Sequence, residues 1–288
     1  MELPEHLPKR VAVGVAAAVA GFLAATAIWL GALLAAQPLQ RALYHALYLH
    51  LGPWSATETA IVLVMIGAMG LAAGVPTLAT VGLRGHRDRL PGLAVGLLAL
   101  LAAVLAAVLV AALLGPSGFL PAIVATVALV LGVLALLAAV GGRSDGSPTF
   151  AGGLPTLAGA LPALAMALFL LGFGLGWGGG YDVVAREVPN ASVEAPADTD
   201  FADAPQFRET LFDPPDDYSY AYCDVEDGRR TCRLSLRGYD REAHAARVLA
   251  EHGVRCRYQG DVSGTEPGSL TALVDGTYYR VTCQTYGD

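Results

Sequence analysis

Five long apolar runs, at residues 11–36, 60–83, 92–114, 119–140 and 153–177, constrain this chain more than any other feature. Each can cross a hydrocarbon core of about 30 Å as a helix rising about 1.5 Å per residue. Backbone polar groups find no water there, so helices, which pair them locally, are the expected form. The first run follows Lys9 and Arg10. It exceeds the roughly 7–15 residues of a signal-peptide core and reads as an uncleaved anchor. No Asp, Glu, Lys, Arg or His lies within the runs. Ionisable groups at membrane depth mark ion paths, so this pattern argues against a pump or coupled transporter built from one copy.

Charge divides the chain in two. Residues after 180 hold 20 of the 25 acids and 11 of the 18 bases, a net charge of −9 against +2 for the rest. With the N-terminus (1–10) in the cytoplasm, Lys9, Arg10, Arg84, Arg87, Arg89 and Arg143 fall inside, and Arg41 alone falls in a short outside loop. Positive residues favour the cytoplasmic side, and five spans then carry everything after Trp177 outside the cell.

Cysteine placement points the same way. In YCDVEDGRRTC, Asp227-Gly228 is a two-residue hairpin turn of the kind that needs positive φ at both positions. Counting back from it sets Cys223 opposite Cys232 in a non-hydrogen-bonded pair, where strands approach to about 4.5 Å between Cα atoms, within the span of a disulfide. Cys256 and Cys283 remain. Four cysteines allow three connectivities, of which Cys223 with Cys232 and Cys256 with Cys283 is the expected one. Disulfides persist in oxidising compartments. The asparagine of the chain, Asn190, stands in an N-glycosylation sequon on the same side. C-x2-C knuckles and C-x-x-C pairs are missing, so neither zinc nor thiol redox chemistry is expected.

The expected architecture is therefore a membrane all-α bundle of five helices (11–180) followed by a small extracytoplasmic α+β domain (218–288) with two disulfides. Residues 38–51, with Tyr44 and Tyr48 one turn apart, read as a short helix on the outer membrane surface. Residues 181–217, rich in acids and proline, read as an extended spacer. The terminal domain reads ββαβββ. Hairpins turn at Asp227-Gly228 and Asp275-Gly276, a helix runs from an Asp240 cap to about His252, and Val254, Cys256 and Tyr258 point inward from a third strand. Gly70 with Gly74, and Gly172 with Gly176, have the spacing that lets helices approach closely or self-associate.

No phosphate loop, nucleophile elbow, paired-carboxylate signature or metal-ligand cluster marks the external domain. His45 and His50 are five apart, and His244 and His252 eight apart, poor spacings for shared ligation. No catalytic, cofactor or metal residue is assigned. Arg255, Arg257 and Arg233 form the candidate binding surface for an anionic partner or for the chain's own acidic linker. One lysine among 18 basic residues and the acidic tail resemble, in composition only, proteins of extreme halophiles. The expected function is a non-enzymatic multi-pass protein of the cell membrane presenting an interaction domain to another envelope component. A subunit of a transport system and a membrane enzyme with an unrecognised site are the alternatives. The bilayer is an expected partner and nucleic acid is not.

Overall fold

The computed structural model describes residues 19, 23–83, 90–114, 180–189, 197–258 and 268–285. The chain forms two compact units, one of residues 1–40 and 59–176, the other of residues 41–58 and 177–288.

The first unit is helical. Helix α1 covers Leu23–Ala35, α2 covers Gln37–Leu83, and α3 covers Leu90–Leu114. Gly70 of α2 is a close-packing position: a Cβ there would fall 2.8 Å from the Leu101 side chain of α3. Among the described residues, one stretch, Gln37–Ala72 of α2, is long and apolar enough to cross a membrane, while Leu23–Ala35 and Ala94–Val110 are shorter apolar helices. The expectation of five spans thus reduces to a helical N-terminal part with one membrane-capable helix. The expected spans 119–140 and 153–177, with Gly172 and Gly176, lie outside the described residues.

Helix α2 is two limbs, 37–51 and 53–83. Gly52 lies between them with φ 80° and ψ 169°, outside the helical region. The local sequence Leu51-Gly52-Pro53 explains the break, because glycine takes the positive φ that ends one helix and proline suits the first turn of the next.

The second unit is built on an antiparallel sheet of five strands: β1 Tyr181–Glu187, β2 Ala221–Glu226, β3 Arg229–Ser235, β4 Ser269–Val274 and β5 Thr277–Thr285. Their order across the sheet is β2-β3-β1-β5-β4. Both hairpins form at the expected turns, with positive φ at Asp227, Gly228, Asp275 and Gly276. Cys223 lies opposite Cys232 and Leu270 opposite Val281. Both expected disulfides are present, with Cα atoms 4.0 Å apart for Cys223–Cys232 and 4.8 Å for Cys256–Cys283.

The segment expected to be a spacer is not one. Its first residues, β1, are the central strand, with Tyr181, Val183 and Ala185 fully buried. Further along, α4 (Pro205–Phe212) buries Phe207, Leu211 and Phe212. The Phe201 ring lies 5.2 Å from that of Phe207 and 6.2 Å from that of Phe212, making an aromatic cluster. Burying each such side chain contributes about 1.5–3 kcal/mol, which turns an acidic stretch into core. Helix α5 (Glu242–Glu251) starts one residue later than an Asp240 cap requires; Arg241 occupies its N-cap without a side-chain hydrogen bond. Ala245, Ala246, Val248 and Leu249 form its buried face, and Gly253 with φ 82° follows its end.

Candidate functional site

Residues 41–58 belong to the same compact unit as the sheet. Two tyrosines on one face of the first limb of α2 hold the chain just after α5. The Tyr44 hydroxyl donates to the Cys256 carbonyl at 3.0 Å, and the Cys256 N–H donates to the Tyr48 hydroxyl at 3.0 Å. The Tyr44 ring packs against Tyr48 and Tyr258 at 5.6 and 4.8 Å. Tyr44 and Tyr48 are 1% and 3% exposed, buried against the folded domain. One expectation is corrected. Val254, Cys256 and Tyr258 are buried in the expected alternation, yet the segment is no strand. The N–H and C=O that a neighbouring strand would take at Cys256 go to tyrosine hydroxyls instead.

The break in α2 is filled by Glu242. The first donors of a helix have no partner of their own. Here the Glu242 carboxylate accepts the Trp54 N–H and the Ser55 hydroxyl, the latter at 3.2 Å. Gly52 leaves the room this requires, since a Cβ on it would clash with Glu242 Cγ and Cδ, the latter at 2.6 Å. Burial pushes the Glu242 carboxyl up to about 7; the Trp54 and Ser55 donors pull it down and the nearby Glu58 carboxylate raises it. Around this contact the Arg237 guanidinium lies 4.7 Å over the Trp54 ring, and the hydroxyls of Thr57 and Tyr181 meet at 3.1 Å.

Sequence reasoning had no route to Glu242 or to its acceptor role. A Gly-Pro break inside an apolar helix was the visible signal, but the carboxylate that fills it is 188 residues away.

The expected arginine surface does not assemble. Cys256 is tied to Cys283, which lies beside Val183 on the face carrying the buried residues of β1 and β5. Arg255 and Arg257 flank Cys256, with Arg255 exposed and Arg257 half-buried. Arg233 is paired with Val184, so its side chain stands on the opposite face of the sheet. There it is held by Glu226 at 2.9 Å. His45 and His244 are exposed, while His252 is half-buried, 3.6 Å from Asp203. Asn190 lies outside the described residues. Among the described residues no group of three or more His, Cys, Asp or Glu is placed to hold a metal.

A cavity of about 750 Å³ opens between α4 and the β4–β5 turn, lined by Phe201, Arg208, Phe212, Arg230, Asp275 and Tyr279 among others. Its cations are already engaged: Arg208 pairs with Asp275 at 2.6 Å, and Arg230 donates to the Phe212 carbonyl at 2.7 Å. No protein family, curated protein or solved structure matches this chain.

Proposed function

We propose that this chain is a non-enzymatic multi-pass membrane protein that presents a disulfide-stabilised interaction domain outside the cytoplasm, with its N-terminus inside. The observation that carries the reading is the grip of residues 41–58 on the domain that follows Trp177, through Tyr44, Tyr48 and Glu242. Segments bonded in this way occupy one side of any membrane. Four apolar runs, 60–83, 92–114, 119–140 and 153–177, separate them, and an even number of crossings returns the chain to the side it left. Arginines 84, 87, 89 and 143 then face the cytoplasm, in keeping with the preference of short cytoplasmic loops for positive charge. Two disulfides suit an oxidising exterior.

The domain acts by binding, and its partner is another component of the envelope. A membrane-impermeant maleimide applied to intact cells carrying the His45→Cys variant tests the topology. Labelling of the introduced thiol without lysis, together with labelling of Cys223, Cys232, Cys256 and Cys283 only after reduction, is expected. Labelling of the introduced thiol and the native cysteines only after lysis, with no reductant needed, would place both segments in the cytoplasm and overturn the proposal.

A further inference from the structure

One cross-strand row runs over the face of the sheet opposite Val183, Ala185 and Val281: Asp224, Thr231, Arg186, Arg280 and Thr271, one residue from each strand. Arg186 and Arg280 are direct partners in that row. The neighbouring bond from the Val188 N–H to the Tyr278 carbonyl makes theirs a hydrogen-bonded pair, with Cα atoms about 5.5 Å apart and side chains on one face. Both are exposed. Like charges set directly opposite one another destabilise a sheet, so the pairing calls for an anion.

The face carries the carboxylates of Asp182, Asp224 and Glu226 beside Arg186, Arg233 and Arg280, but none of them is paired with Arg280 among the described residues. Glu226 serves two arginines at once, Arg233 at 2.9 Å and Arg186 at 3.3 Å. The contact with Arg186 joins groups 57% and 36% exposed, the kind of surface pair that is weak and exchangeable. Arg280 makes no ion pair or side-chain hydrogen bond among the described residues. Asp224 spends Oδ1 on the Val225 N–H. The same face also carries buried polar atoms with no hydrogen-bond partner, Thr231 Oγ1, Arg233 Nε and Asp182 Oδ1. Buried polar groups are normally paired; of these three, Arg233 Nε is a donor that lacks an acceptor.

We propose that the Arg186–Arg280 pair is a binding site for a phosphate group. A phosphate offers several oxygens in a fork that planar guanidiniums match two at a time, and two adjacent arginines can share it. The group comes either as free phosphate or as the headgroup of an anionic lipid. This deepens the reading of the domain as a binding module, but the site stands on the sheet register and does not depend on which side of the membrane it occupies.

The test uses the full chain in neutral detergent with 15N-labelled arginine, following the side-chain Nε signals during titration with inorganic phosphate and, separately, with short-chain phosphatidylglycerol, against chloride at matched ionic strength. Saturable shifts of the Arg186 and Arg280 signals are expected, with at least tenfold weaker binding in Arg186→Gln or Arg280→Gln and no change in the control Arg247→Gln. Tighter binding of the lipid identifies a headgroup site, and tighter binding of inorganic phosphate a soluble ligand. Without ligand, Arg280→Gln is expected to melt no lower than the parent, because it relieves the opposed charges, and to lose the rise in Tm that phosphate gives the parent. Shifts matched by chloride, or binding unchanged in both Gln variants, would overturn the proposal.

Discussion

At the scale of single residues, the junction rests on a few buried hydrogen bonds. Tyr44→Phe leaves the Cys256 carbonyl unpaired, and Tyr48→Phe leaves its N–H unpaired, in a buried setting. Each should lower the unfolding free energy of the second unit by about 1–3 kcal/mol, whereas His45→Phe, on the exposed side of the same helix, should stay within about 0.5 kcal/mol. Urea unfolding of the full chain in detergent, read by tyrosine fluorescence, measures this. Glu242 adds a pH dependence. Its carboxyl rises from an ordinary 4.5 to about 7 on folding, mainly through burial. The folded state therefore holds a proton that the unfolded state releases. Its stabilising contribution is fully present below about pH 4.5, declines as pH rises, and is gone above about 7. The change is on the order of 3 kcal/mol. Glu242→Gln should flatten the stability profile across that window, and an unaltered slope would show that another group titrates there.

At the scale of elements, what was legible and what was not divides by the distance of the partner. Both hairpins and the Cys223–Cys232 pairing could be read because an Asp-Gly turn fixes the register of its own neighbours, and Cys256 with Cys283 was the pair that remained. Strand β1 could not be read so easily: Tyr181, Val183 and Ala185 alternate correctly, but they head an acidic stretch and their partners, β3 and β5, lie about 50 and 100 residues on. The 254–258 segment was the converse, a correct inward alternation whose hydrogen-bond partners came from a helix outside the sheet. Two experiments follow. A fragment of residues 218–288 lacks the central strand, leaving β3 and β5 without the partner between them. It should give poorly dispersed 1H–15N spectra even with its cysteines oxidised, and a well-dispersed spectrum would return 181–217 to the role of a spacer. Gly52→Ala should cost at least about 1–3 kcal/mol, because it meets both a positive φ and the Glu242 side chain. Gly67→Ala, where a Cβ meets nothing within 4 Å, serves as the control.

At the scale of the whole molecule, the domain that reads as C-terminal is completed by a helical segment near the N-terminus. The two-unit division follows contacts and not chain order, since residues 41–58 leave their sequence neighbours to join the sheet. Cutting the chain at Trp177 would thus divide one cooperative structure. The fragment of residues 177–288 should melt below the same domain in the full chain, and adding a peptide of residues 41–58 should recover part of the difference. The bond from Tyr44 to Cys256 spans 212 residues. At synthesis rates of about 5–20 residues per second, the tyrosines emerge roughly 10–40 s before the backbone they hold. Through that interval the segment carries the face of Tyr44, Leu47 and Tyr48 without the backbone that later covers it, so a chain interrupted anywhere before Cys256 carries a visible mark of its incompleteness, on which a protease or chaperone can act.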